Sequence, residues 1–154
     1  MTNYSQRMAC MLGCGNANMV QVKGGIRLMS SKTKEMIENY VEAYNSFDVS
    51  GMVKLLHQNI LFRNYVNGEV NVETYGIQAF KELAEKSIKT FSSRRQNIME
   101  YRVREDKIEV FINYEGILAV DLPNGLKTGN KLRLKGKSVF QFEEGKISRI
   151  EDYS

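Results

Sequence analysis

The last quarter of the chain alternates polar and apolar residues with a period of two. In residues 131–142 the even positions are apolar or small, and most of the odd positions are charged. Glu144 and Gly145 interrupt the pattern, which then resumes in residues 146–153. Because successive side chains of a strand point to opposite faces, this pattern predicts two long antiparallel strands with one buried face.

Before residue 92 the apolar residues mostly recur at intervals of three and four, which is the period of a helix. A first helix follows Ser30 and Ser31, a second covers residues 52–57, and a third begins at Gly76. Residues 60–66 and 70–75 alternate as strands on either side of Asn67 and Gly68, which favour a hairpin turn. The helical stripes are Ile37, Tyr40, Val41, Tyr44 and Phe47 in the first helix, and Ile77, Phe80, Leu83, Ala84, Ile88 and Phe91 in the third.

From residue 96 onward the pattern is that of strands, over residues 96–105, 107–122, 126–142 and 146–153. Helices therefore occur early in the chain and long strands occur late. This order predicts an α+β fold in which helices cover one face of an antiparallel sheet.

The net charge argues against nucleic-acid binding. The 154-residue chain has a formal charge of +4, but three of its 22 basic residues lie in residues 1–28, which contain no acidic residue. Residues 29–154 therefore carry 19 basic and 18 acidic side chains. A nearly neutral domain lacks the basic surface that dominates binding to phosphate backbones.

Residues 1–28 differ in character from the rest of the chain. They show no helical or strand period, contain both cysteines (Cys10 and Cys14), and lack the features of a signal peptide. We expect a disordered leader or tail here and a single domain over residues 29–154. The codons of Lys23, Gly24 and Gly25 can form a ribosome-binding sequence, which favours Met29 as the start; a natural flexible tail is the alternative.

The remaining composition predicts a cytoplasmic protein that needs neither a metal nor a cofactor. No apolar stretch is long enough to span a membrane. The chain contains one histidine, and two cysteines alone do not complete a tetrahedral metal site. Residues 29–154 contain no cysteine, which is consistent with a reducing compartment.

Four segments together resemble the nuclear transport factor 2-like superfamily, which includes ketosteroid isomerase and polyketide cyclases of the SnoaL type. The matching segments are residues 40–44 followed by Asp48, residues 52–56, residues 76–80, and residues 138–142 with Gly145. The resemblance implies a cone-shaped fold, in which a curved antiparallel sheet packs on three helices and leaves a pocket. It also implies a homodimer formed through the outer sheet face.

The resemblance places the oxyanion tyrosine of the isomerase on Tyr40, its general base on Asn64 and its second aspartate on Ser138. Because an amide cannot take up a proton near neutral pH, the isomerase mechanism is not expected here. Strand parity and the resemblance instead predict a pocket for a small apolar molecule, with Asp152 and Tyr40 as catalytic residues. The other predicted pocket residues are Tyr44, Phe62, Asn64, Leu134, Ser138, Phe140 and Ile150.

Other interpretations of these residues stay open at this point. Asp152 lies near the end of the chain, where a solvated carboxylate is common, and Tyr40 and Tyr44 suit a helix core. His57 is expected to cap a helix or face water. The pair Arg94 and Arg95 is expected to be solvated at the start of a strand, with phosphate binding as the alternative.

The alternate residues of the long strands that face away from the predicted pocket are not all polar, and this favours self-association. The apolar ones are Phe111, Ile117, Ala119 and Val139. An apolar sheet face without covering helices needs a partner, so we predict a symmetric homodimer through this face. The alternative function is therefore a non-catalytic homodimer that binds a protein or a peptide.

Overall fold

The structure, a computed structural model, describes residues 29–154, and within them three helices and six strands. In chain order these are α1 (Ser31–Asn45), α2 (Val49–Val53), β1 (Leu56–Val66), β2 (Glu69–Tyr75), α3 (Ile77–Ile88), β3 (Phe91–Arg104), β4 (Lys107–Leu118), β5 (Lys131–Glu143) and β6 (Lys146–Tyr153). The predicted α+β fold class is confirmed. The predictions for residues 1–28 lie outside the described residues. None of the helices within residues 29–154 is long and apolar enough to cross a membrane.

Side-chain caps fix where the first two helices begin. The Ser30 hydroxyl accepts a hydrogen bond from the Thr33 amide at 3.1 Å and starts α1, as an N-cap serine should. Phe47 then adopts a positive φ of 58°, which ends the helical path, and Asp48 accepts from the Gly51 amide at 2.9 Å to start α2. The buried side of α1 consists of Ile37, Tyr40, Val41, Ala43 and Tyr44.

The six strands form one curved sheet in the order β2-β1-β6-β5-β4-β3. All neighbours are antiparallel except β1 and β6, which run parallel. The predicted antiparallel sheet is therefore correct for every pairing but this one. The helices lie on one face, where α1 contacts β3 and α3 contacts β1 and β2.

Two tight turns lie where the sequence predicts them. Asn67 and Gly68 join β1 to β2 with φ values of 52° and 80°, and Glu144 and Gly145 join β5 to β6 with 52° and 73°. A positive φ at both central residues is the geometry of the type I′ turn, which is one of the two favoured turns of two-residue hairpins. Both hairpin predictions are thereby confirmed.

A β-bulge at Ser148 changes the parity of β6. Gln141 pairs with Arg149, whereas the next residue, Phe142, pairs with Ile147, so Ser148 is an extra residue. Ile147 and Ile150 are consequently both buried, at 0% and 1% exposure, although they lie three residues apart. The regular alternation that the sequence predicts along residues 146–153 is therefore interrupted at Ser148.

Several predicted boundaries need correction. The second helix does not cover residues 52–57: α2 ends at Val53, and Leu56 and His57 already belong to β1. The strand predicted over residues 107–122 ends at Leu118, and the one predicted from residue 126 begins at Lys131. The chain between them folds into a loop, because the Leu122 amide donates to the Leu126 carbonyl at 2.7 Å.

Candidate functional site

A small cavity lies between the helices and the inner face of the sheet. Its volume, counted as the space open to the centre of a water molecule, is about 20 Å³. A single water needs about 10 to 15 Å³ by this measure, so the cavity is of the order of one water molecule in size. All three helices and four strands contribute to its wall, which consists of Tyr40, Tyr44, Met52, Phe62, Phe80, Leu83, Ala84, Ser87, Gln96, Ser138 and Asp152.

Asp152 is a buried carboxyl group in the cavity wall. It lies on β6, is 9% exposed, and accepts a hydrogen bond of 2.6 Å from the Ser138 hydroxyl on β5. Burial raises the pKa of Asp152 from 3.8 to about 6, because the charged form loses its hydration; the hydrogen bond from Ser138 opposes this rise. The solvated carboxylate considered from the sequence is therefore not what the structure contains.

Tyr40 faces the same cavity from α1. Its ring packs edge-on against Phe140, with the centroids 5.8 Å apart and an interplanar angle of 76°. Burial raises the pKa of Tyr40 well above 10.0, and the charge of Asp152 raises it further. Near neutral pH the Tyr40 hydroxyl is consequently a hydrogen-bond donor.

Asn64 lies beside Asp152 without lining the cavity. The two residues are register partners across the parallel pairing of β1 and β6, and Asn64 is 2% exposed. The Asn64 Nδ2 atom is buried and has no hydrogen-bond partner among residues 29–154. The structure therefore holds an unused amide donor on the residue that pairs with Asp152.

The other predicted pocket residues divide into two groups. Tyr44 and Phe62 line the cavity, as do Tyr40, Ser138 and Asp152. The remaining ones are buried next to the cavity and do not form its wall; they are Asn64, Leu134, Phe140 and Ile150. Phe140 acts indirectly, because its ring supports the ring of Tyr40.

Much of the cavity wall comes from residues that the sequence did not single out as a site. These are Met52, Phe80, Leu83, Ala84, Ser87 and Gln96. The stripe of α3 carries a usable signal, since Ser87 lies seven residues after Phe80 and four after Leu83, on the same helical face. Gln96 carries no such signal, because its position depends on how the edge strand β3 curves.

Arg94 and His57 are both buried, contrary to the expectation that they face solvent. Arg94 is 5% exposed, whereas its neighbour Arg95 is exposed. His57 is 8% exposed at the start of β1, where its Nδ1 atom accepts from the Asn59 amide at 3.1 Å. Neither Arg94 nor His57 lines the cavity.

One group of metal-ligand side chains occurs within the described part of the chain, and it consists of His57, Glu143 and Glu144. The His57 Nε2 atom lies 3.4 Å from a carboxylate oxygen of Glu144. A metal on Nε2 would need a hydrogen on Nδ1, but Nδ1 accepts a hydrogen bond from the Asn59 amide. The tautomer favoured by this contact is therefore the wrong one for metal binding.

The chain belongs to the SnoaL-like domain family, whose pattern matches residues 37–150, and thus to the nuclear transport factor 2-like superfamily. The structural resemblance inferred from the sequence is confirmed. No curated protein sequence matches the chain significantly.

Solved structures share the fold at low sequence identity. A candidate polyketide cyclase from Xanthomonas campestris is 16% identical, with a TM-score of 0.68 over 80% of this chain and 90% of its own. A candidate polyketide cyclase from Pseudomonas putida is 19% identical, with a TM-score of 0.62 over 78% and 89%. TerC, crystallised with polyporic acid, is 19% identical, with a TM-score of 0.64 over 79% and 90%.

Proposed function

We propose that this protein binds a small molecule with a carbonyl or hydroxyl group in the cavity and moves a proton on it through Asp152. The observation that carries the proposal is the buried Asp152 carboxyl group, held by Ser138 at 2.6 Å, with a pKa raised to about 6. A group that titrates near neutral pH can both accept and return a proton. The family membership and the structure of TerC with polyporic acid support small-molecule binding.

Each polar residue of the cavity wall has a role in this proposal. The ionised Asp152 removes a proton from a carbon or hydroxyl next to the substrate carbonyl and delivers it elsewhere on the same molecule. The Tyr40 hydroxyl donates a hydrogen bond to the oxygen on which negative charge develops. Ser138 holds Asp152 in place. Such a proton transfer fits an isomerase, a cyclase or a dehydratase, and it requires no cofactor.

The size of the cavity sets a condition on this function. A space of about 20 Å³ does not hold a metabolite, so side chains must move when a ligand binds. Met52 is suited to such movement, because its unbranched thioether side chain repacks at low cost. Leu83 and Gln96 are only half-buried and form the more accessible part of the wall.

The small size of the cavity favours a second candidate function, a non-catalytic homodimer that binds a protein or a peptide. The surface for such a dimer is the outer face of the sheet. On the outer sheet face Ile117 is 36% exposed, whereas Val139 is 6% exposed; Ala119 is exposed but lies just past the end of β4. Phe111 is half-buried, and the Arg102 guanidinium lies 4.6 Å from its ring centroid. Part of the predicted interface is therefore covered within one chain, and a smaller apolar area remains for a partner.

The two candidates are separated by a retained ligand and its turnover. Native mass spectrometry of protein purified from its own host, expected in the cytoplasm, should show a bound metabolite and the dimer mass. With that metabolite, Asp152→Asn should reduce turnover about 100-fold or more, and Tyr40→Phe by a comparable factor. The matched controls are Asp106→Asn and Tyr75→Phe, because Asp106 and Tyr75 are exposed. Full turnover in both site variants would contradict the assigned roles.

The dimer has its own test. Light scattering at micromolar concentration should give twice the mass of the chain, and Ile117→Lys should shift the mass toward the monomer. Val70→Lys is the control, because Val70 is a 50% exposed residue on the edge strand β2. A monomeric wild-type protein would remove the homodimer from both candidate functions.

A further inference from the structure

Arg94 connects the sheet to the ends of two helices. It lies on β3, and its side chain is buried. Its Nε atom donates to the Tyr44 carbonyl at 2.8 Å, and its Nη1 atom donates to the Ser87 hydroxyl at 3.2 Å. Tyr44 and Ser87 lie in the last turns of α1 and α3, where the negative end of the helix dipole favours a cation.

These contacts leave the charge of Arg94 without an anionic partner. No carboxylate within residues 29–154 lies at ion-pair distance from the guanidinium. Aromatic faces cover it instead, with its Cζ atom 3.7 Å from the Tyr44 ring centroid and 4.7 Å from that of Phe47. The Nη2 atom is buried and has no hydrogen-bond partner in the described part of the chain. A buried charged donor of this kind is costly unless something else satisfies it.

The guanidinium lies directly behind the cavity wall. Tyr44 and Ser87, both of which it contacts, line the cavity. Gln96 lies two residues further along β3, on the same side of the strand, and also lines the cavity. The charge of Arg94 also reaches Tyr40 in the cavity wall. It lowers the pKa of Tyr40, whereas burial raises it.

We propose that Arg94 selects an anionic ligand, and that the molecule bound in the cavity carries a carboxylate that accepts a hydrogen bond from Arg94 Nη2. This inference rests on the proposed small-molecule function and adds the substrate class to it. A charged pair gives a stronger hydrogen bond than a neutral one, and a guanidinium stays charged over the whole accessible pH range. Tyr44 and Ser87 accept the hydrogen bonds of Nε and Nη1, and the carboxylate of the ligand supplies the acceptor that Nη2 lacks.

The test compares carboxylates with their neutral amides. Benzoate and benzamide, 2-naphthoate and 2-naphthamide, and hexanoate and hexanamide are titrated into the isotope-labelled full chain. Binding is followed by nuclear magnetic resonance, and shift changes at Tyr44, Ser87 and Gln96 locate the ligand in the cavity. At least one carboxylate should bind the wild-type protein about tenfold or more tightly than its amide.

Arg94→Met separates ligand selection from the structural role of the side chain. Loss of the helix contacts lowers stability and affects both members of a pair, whereas loss of the anion site affects the carboxylate alone. The ratio of carboxylate to amide affinity should therefore fall to about one in Arg94→Met. Arg94→Lys, which keeps the charge, should retain part of the preference. If Arg94→Met does not fold, the comparison of carboxylate and amide affinities in the wild-type protein tests the inference by itself.

The unfavourable outcomes are distinguishable. If amides and carboxylates bind the cavity of the wild-type protein equally well, the anion inference is wrong and the proposed binding function stands. If no member of any pair binds at millimolar concentration, both are overturned. An undiminished carboxylate preference in a folded Arg94→Met variant assigns the preference to another group and overturns the role of Arg94.

Discussion

Asn64 and Asp152 lie opposite each other across the parallel pairing of β1 and β6, and both side chains are buried. Asn64 contributes an amide whose Nδ2 atom has no partner among residues 29–154, and Asp152 contributes a carboxyl group with a raised pKa. A neutral neighbour thus leaves Asp152 free to ionise near neutral pH. The identity of residue 64 consequently influences how Asp152 titrates.

Asn64→Asp should couple the titration of two buried carboxyl groups. Two like charges on neighbouring strands cannot both form at low cost, so one of the two pKa values should rise above that of Asp152 in the wild-type protein. The variant should lose stability at about pH 8 and regain much of it at about pH 5, which urea unfolding at both pH values measures. Asn39→Asp, at an exposed position on α1, should show no such difference.

Asp152→Asn should stabilise the protein at neutral pH. The shift of the Asp152 pKa from 3.8 to about 6 corresponds to about 3 kcal/mol. Since the folded-state pKa is raised, the contribution of Asp152 to stability is fully present below pH 3.8 and is lost as the pH rises through about 6. Urea unfolding should give the variant the larger free energy of unfolding at about pH 8, and similar values at about pH 4. A variant that is less stable at every pH contradicts this account.

Ser138→Ala should raise the pKa of Asp152 above about 6. The Ser138 hydroxyl favours the ionised form of Asp152, and removal of this donor leaves burial unopposed. The carboxyl carbon of Asp152 reports its titration directly by nuclear magnetic resonance. Ser93→Ala, at an exposed position on β3, serves as the control. An unchanged or lower pKa in Ser138→Ala would show that the hydrogen bond does not set the titration.

Gly116→Ala should destabilise the fold through a clash with Phe91. A Cβ atom at Gly116 would lie 2.9 Å from two ring carbons of Phe91, which is 3% exposed and cannot move freely. Overpacking of this kind costs about 1 to 3 kcal/mol. Thermal and urea unfolding measure the loss, and the double variant with Phe91→Leu should recover part of it. If the losses of unfolding free energy from the two substitutions simply add, the clash with Phe91 is not the cause of the destabilisation.

The sequence carries enough information for the β5–β6 hairpin and its buried face. Alternation around Ser138 correctly places Leu134, Ser138 and Phe140 in the interior, because side-chain parity is a local property of a strand. The bulge at Ser148 cannot be predicted from the alternation of residues within one strand. An extra residue in one strand depends on the pairing with its neighbour, and the composition of residues 146–153 does not signal it.

Arg94 shows a second limit of the sequence pattern. A pair of arginines at the start of a strand is typical of a surface, since charged residues are rarely buried without a partner. The partners of Arg94 are a backbone carbonyl 50 positions away and a serine hydroxyl seven positions away. Carbonyl groups have no sequence signature, so the burial of Arg94 becomes apparent only in three dimensions.

The central place of β6 in the sheet has a consequence for biosynthesis. The strands β2 and β1 form one ribbon and β5, β4 and β3 form another, and β6 is the strand that joins them. During translation the two ribbons cannot unite until the segment near residue 150 has emerged from the ribosome. Until then the edges of β1 and β5 that pair with β6 are open, and an unpaired strand edge makes a growing polypeptide prone to aggregation.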